Sequence, residues 1–262
     1  AAWALNGRAM LFAGRYAESA KYSKQVLGVT YFDLEDNYNK LFQSHGGNKE
    51  VIFEVLFDGK NKGHAADNLF LPPSIDNGWG AQTNPTQELV DSYEMLDGTP
   101  FDWNNPAHAA NPYVNRDKRL DASILYDGGV IRNTVIRTAY LTPSDGLGLQ
   151  GTSYTGYYMR KFMDETLPFE KLNFGGSSTS WKEIRLAEVL LNYAEAQNEA
   201  NGGPDASVEE AMFKVRNRAG LPALPTGLNQ EEMRERIMHE RKVELAFEGH
   251  RYWDLRRWKL AE

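Results

Sequence analysis

The sequence has no cysteine. Disulfides, thiolate metal sites and cysteine nucleophiles are therefore excluded, although the absence identifies no compartment. It also has no apolar run near the roughly 20 residues that cross a bilayer as a helix. Positive charge is in deficit, with 29 Lys and Arg against 36 Asp and Glu and a formal net charge of -7. Nucleic acid is excluded as a partner on that ground, because phosphate binding needs a basic footprint. Histidine is scarce, and the five residues His45, His64, His108, His239 and His250 show no metal-ligand spacing. The acidic run Asp33-Leu34-Glu35-Asp36-Asn37 lacks the Gly and the distal Glu of a calcium loop. No cofactor is expected, and a structural surface cation such as calcium is the one ion left open.

The start of the chain is equally bare. Ala1-Ala2-Trp3 brings no initiator Met and no basic, signal-like region. Residues 1–14 already read as the middle of a helix, with no capping residue ahead of them. The expectation is a piece of a longer protein, with any targeting or lipidation signal in the missing part.

What is present suits a globular chain. Its 262 residues, 41% hydrophobic and 25% charged, are enough for one large domain or two small ones with a sizeable core. Residues 1–28 read as a helical hairpin. Trp3, Gly7, Gly14, Tyr16 and Tyr22 fall where a tetratricopeptide repeat places its Trp, small residue, turn Gly and aromatics, although Asn6 and Ser19 replace its preferred Leu and Ala. Residues 29–180 hold most of the Pro and Gly and read as a loop-rich, mixed α/β insert, the candidate ligand-binding region. Strand candidates there are residues 51–57, 130–141 and 157–162. A short helix is expected after Asn84-Pro85-Thr86. Residues 181–262 are helical again. Ile184, Ala187, Leu191 and Ala194 form an apolar stripe, a partner helix covers about 206–219, and a third begins at a capping box, Asn229 with Glu232, and runs to Gly249. The fold class expected is mainly α, tetratricopeptide-like hairpins carrying the insert.

The closing run Glu240-Arg241-Lys242-Val243-Glu244-Leu245-Ala246-Phe247-Glu248-Gly249-His250-Arg251-Tyr252-Trp253-Asp254-Leu255-Arg256-Arg257-Trp258 resembles the signature of the SusD/RagB family, in a long and ungapped match. Residues 184–196 resemble the family's helix upstream of that signature. Residues 85–93, with Asp97-Gly98 and Arg116-Asp117-Lys118-Arg119-Leu120, resemble its insert region. The resemblance implies a non-catalytic, surface-exposed lipoprotein of the outer membrane. Such a protein captures oligosaccharide and delivers it to a SusC-like TonB-dependent transporter. Membrane attachment would run only through a lipid anchor absent from this chain. A helical-repeat adaptor that binds protein segments in its groove is the alternative.

Glu240, Glu244 and Glu248 stand at i, i+4 and i+8, a spacing that stacks carboxylates along a helix. A retaining glycosidase needs such a pair about 5 Å apart, with one member's pKa raised by desolvation. The neighbouring Arg241, Arg251, Arg256 and Arg257 would instead keep the acids ionised. The preferred reading makes Glu240, Arg241, Glu244, Glu248, Arg251, Asp254 and Arg257 a structural ion-pair network, with no catalytic residue. Gly146-Leu147-Gly148-Leu149-Gln150-Gly151 matches the dinucleotide fingerprint literally, but no helix pattern follows it to hold a pyrophosphate, so it reads as a flexible loop.

The aromatics remain. Trp3 and Trp181 fit helix packing, and Trp253 and Trp258 fit a core. Trp79, Trp103, Tyr154 and Tyr158 lie in or beside loops rich in Gly, Asn and Pro. A sugar ring offers an apolar C–H face and a rim of hydroxyls, so it needs a flat aromatic platform with amide and carboxylate partners. Asp76-Asn77-Gly78-Trp79 supplies all three types. The candidate contacts are Trp79, Asn77, Asp76, Trp103, Tyr154 and Tyr158.

Overall fold

In the computed structural model, which describes residues 1–76, 80–173 and 175–261 (Asp76 by its backbone alone), helices dominate both ends. Helices α1 (Ala2–Phe12) and α2 (Tyr16–Leu27) form the first hairpin, turning at Gly14 with φ +69°. Their approach is too close for a side chain at Gly7, where a Cβ would stand 2.8 Å from Ser23 Oγ. Ser19 Oγ donates to the Gly7 carbonyl at 2.8 Å. The hydroxyl at the position where the repeat prefers Ala thus ties the two helices together.

The middle of the chain runs through α3 (Tyr38–Gln43), β1 (Val51–Val55), α4 (Ala66–Leu69), α5 (Pro73–Asp76), α6 (Gln87–Ser92), α7 (Pro106–Ala110) and α8 (Arg119–Ser123). The short strands β2 (Ile124–Leu125), β3 (Val130–Ile131), β4 (Thr134–Val135) and β5 (Tyr158–Met159) follow. The chain closes with β6 (Trp181–Arg185), α9 (Leu186–Asn201), α10 (Ala206–Arg218), α11 (Gln230–Glu244) and α12 (Arg251–Arg257). Each described sheet is an antiparallel pair: β1 with β6, β2 with β5, β3 with β4.

Helix α9 is the axis of the helical part. Ala187, Leu190, Leu191 and Ala194 meet Leu11 and Ala20 of the first hairpin, Val208, Met212 and Val215 of α10, and Met233 and Ile237 of α11 in one apolar core. The ends of these helices follow their sequence signals. Gly202 takes φ +72° after α9. Asp205 caps α10 by accepting from Ser207 N and Val208 N. The Asn229–Glu232 capping box opens α11. A second core, with Tyr38, Leu41, Phe42, Leu71, Leu125, Ile131, Met159 and Phe162, lies under the loops.

Several expectations are corrected. Residues 181–185 are not helical, because they pair with β1 and the chain becomes helical only at Leu186. The candidate strand 130–141 shrinks to the hairpin β3–β4, whose two-residue turn, Arg132-Asn133, takes φ +50° and +62°. Candidate strand 157–162 keeps only Tyr158–Met159. Helix α11 ends at Glu244 rather than Gly249, and Phe247 then takes φ +66°. Glu248 therefore leaves the helical ladder. Trp3 and Trp253, expected to be packed, are 47% and 54% exposed.

Candidate functional site

The signature carboxylates are buried in a network of charges. Glu244 receives Arg119 Nη1 at 2.8 Å and Arg185 Nη1 at 2.6 Å, and also pairs with Arg218. Glu240 takes Arg119 Nη1 at 2.6 Å and Arg216 Nη1 at 3.1 Å. Glu248 takes Arg185 Nε at 2.6 Å and Lys161 Nζ at 2.7 Å. Burial alone would raise the Glu244 and Glu248 carboxyls, but the facing cations hold both well below the usual carboxylate range. Carboxylates held in this way cannot serve as general acids.

The cations differ from those expected. Arg119, Arg185 and Arg218 come from distant parts of the chain. Arg241 instead grips Asp254 (Nε–Oδ2 3.0 Å) and Asn192 (Nη1–Oδ1 2.7 Å), and Arg257 bridges Asp254 and Glu195. Arg256 lies on the Tyr252 ring, 5.5 Å from its centroid. Arg251 has no ion pair among the described residues and stands 6.0 Å over Trp258, so it is corrected out of the network.

The aromatic candidates divide. Asn77 and Trp79 lie outside the described residues, and Asp76 ends α5. Tyr158 is fully buried in β5, with its hydroxyl donating to Asp145 O at 3.0 Å and accepting from Ser153 N at 3.1 Å. It is thereby removed from the candidate ligand contacts. Trp103 and Tyr154 are brought to one surface, built on α6. Thr86 caps that helix, and Gln87 and Asp91 stand one turn apart with Gln87 Nε2 donating to Asp91 Oδ1 at 2.8 Å. The Trp103 indole N–H sits between both Asp91 oxygens at 3.1 Å, with 46% of the residue exposed. Phe101 backs the indole edge-on at 5.0 Å and carries the Arg116 guanidinium over its own ring at 4.0 Å. Tyr157 donates to Gln87 Oε1 at 2.8 Å. The Tyr154 backbone N–H is held by Asn84 Oδ1 at 2.8 Å, just ahead of α6, and its side chain leaves the residue 89% exposed.

Two rings, three amide or carboxylate side chains and a hydroxyl thus share one hydrogen-bonded surface. Sequence reasoning missed Asn84, Gln87 and Asp91. Their signal was the i, i+4 pairing of Gln87 with Asp91 on the polar side of the short helix. A cleft of about 660 Å³ lies elsewhere, lined by Phe57, Phe70, Phe162, Trp181, Phe247 and Tyr252. It offers rings but few of the polar partners that sugar hydroxyls require. Among the described residues no group of three or more His, Asp or Glu could hold a metal ion, and no helix is long and apolar enough to cross a membrane.

Comparison with known proteins places the chain. The model of the SusD family matches residues 49–262. SusD-like protein P2 of Formosa agariphila (strain DSM 15362) is 43% identical over 92 residues, which cover 32% of this chain and 18% of that protein. A SusD-like carbohydrate binding protein from Bacteroides fragilis NCTC 9343 superposes with a TM-score of 0.89 at 31% identity, over 99% of this chain and 52% of its own. A second SusD-like protein from the same organism gives 0.81 at 31% identity, over 99% and 54%. The chain thus spans about half the length of these solved relatives. By its family match and its structure alike, it belongs to the SusD family.

Proposed function

We propose that this chain is the glycan-gripping part of a non-catalytic capture protein, with its ligand surface in the insert over residues 29–180. The observation that carries this reading is the Trp103 ring, half exposed and locked by Asp91, beside the amides of Gln87 and Asn84 and the exposed Tyr154. Such a surface can stack on a sugar's C–H face while its amides and carboxylate meet the hydroxyl rim. The carbohydrate-binding relative from Bacteroides fragilis, alike over 99% of this chain, supports the same class of ligand. The whole protein would act at the outer-membrane surface, held by a lipid anchor, and pass its glycan to a SusC-like TonB-dependent transporter. The apolar cleft and the exposed Trp3 and Trp253 favour a protein contact as well, so capture and adaptor roles are compatible.

The test is affinity gel electrophoresis against a panel of soluble polysaccharides: laminarin, starch, xylan, pectin and alginate. Retardation by at least one supports the reading. Retardation by none, with the protein folded, contradicts it. Incubation with the retarding polysaccharide should release no reducing ends, and steady release abolished by Glu244→Gln would overturn the non-catalytic assignment.

A further inference from the structure

Among the described large apolar side chains, the two most exposed are Tyr154 at 89% and Tyr140 at 73%. The second is not part of the α6 surface and was not singled out by its sequence context. Its backbone is built by the Gly-x-Gly-x-x-Gly run that serves no nucleotide. A Cβ at Gly146 would stand 2.3 Å from Thr142 O and 2.7 Å from Ala139 O, so only glycine lets the strand of loop fold against the 139–142 turn. A Cβ at Gly148, which takes φ +93°, would stand 2.8 Å from Cε2 and 3.3 Å from Cδ2 of the Tyr140 ring. Both glycines therefore make room beside one aromatic residue. The loop is strapped by Leu147 N to Thr138 O at 3.1 Å and Leu141 N to Leu147 O at 2.9 Å. Asp145 anchors it to α5 by accepting from Ser74 N at 2.8 Å and Ser74 Oγ at 2.7 Å.

A tyrosine that served the core would hide its ring. This one is pinned along an edge by a glycine and keeps most of its surface in water, which is how a rigid platform for a flat, weakly apolar ligand is made. Resting on the glycan-capture reading above, we propose that Tyr140 is a further sugar-stacking platform, presented by Gly146 and Gly148. The ligand is then an extended oligosaccharide that reaches past Trp103 and Tyr154, not a single sugar.

The experiment compares wild type, Tyr140→Ala, Tyr140→Trp and Gly148→Ala with the polysaccharide that retards the wild type in the panel and with its oligosaccharides of increasing length. Tyr140→Ala is expected to weaken polysaccharide binding about fivefold or more, by analogy with other aromatic stacking on ligands. The shortest bound oligosaccharide should lose little, and the melting curve should not move. Tyr140→Trp should restore binding, and Gly148→Ala, which displaces the ring, should mimic Tyr140→Ala. Unchanged affinity of Tyr140→Ala at every length overturns the proposal, and if Trp103→Ala still loses binding, the capture reading stands without it. A loss equal at every length and matched by a lowered melting temperature also overturns it, making the ring structural. A wild type that no polysaccharide retards removes both readings together.

Discussion

Replacing Glu244 by Gln keeps the shape of the side chain and removes its charge from among three arginines. The carboxylate is fully buried, with Arg119 at 2.8 Å, Arg185 at 2.6 Å and Arg218 also paired to it. Each arginine keeps another acid: Arg119 has Asp117 and Glu240, Arg185 has Glu50 and Glu248, and Arg218 has Glu50. The loss is therefore that of one hub rather than of three isolated charges. Breaking a buried pair costs about 3–5 kcal/mol, because uncompensated charge stays buried. At about 2–4 °C per kcal/mol for a chain of this size, melting should fall by roughly 6–20 °C. The pH dependence has a definite sign. Burial raises this carboxyl, the arginines more than reverse that, and its folded pKa ends below the unfolded one. The stability it brings is whole above the unfolded value, about 4.3 for a free Glu, and drains as pH falls toward the folded value. Thermal melts of both proteins between pH 3 and pH 7 should thus show the largest gap near neutrality and convergence in acid. A melting curve unchanged by the substitution, with glycan binding lost, would refute the structural role and make Glu244 a ligand contact.

The remaining expectations are brief. Trp103→Ala should weaken glycan binding by on the order of 1–3 kcal/mol, roughly 5- to 150-fold, by analogy with other aromatic stacking; titration calorimetry reads this, and an unchanged affinity would dismiss Trp103 as a platform. Lys161 is fully buried, and that burial lowers its pKa to about 8 despite the pull of Glu248. Between about 8 and the free-lysine value near 10.4 the unfolded chain holds a proton that the folded chain lacks. Wild type should therefore gain about 3 kcal/mol relative to Lys161→Met as pH rises through that window in urea titrations. A difference that shrinks with pH would reverse the argument.

The helical frame was legible because its signals are local. Asp205, the Asn229–Glu232 box and Gly202 act within a few residues of the ends they fix. Residues 181–185 misled because an apolar stripe cannot reveal a partner strand about 130 residues earlier. The same distance hid the cations of the charged network. Nearby Arg241 and Arg257 were the obvious partners for the signature acids, whereas Arg119, Arg185 and Arg218 are assembled by the fold. Among the aromatics, loop position did not separate Tyr154, which faces water, from Tyr158, which is tied to Asp145 in the core. Tyr140 escaped notice because its presentation depends on two glycines placed after it, whose role is visible only in three dimensions.

The central claim is that glycan sits on the α6 surface and its neighbouring loops. Hydrogen–deuterium exchange with and without a saturating amount of the retarding polysaccharide tests it most directly. The account expects protection in peptides spanning residues 84–113 and 138–157, with the helices of residues 186–244 unchanged. Protection confined to peptides around 57–70 and 245–252, which line the apolar cleft, or protection nowhere, would contradict it.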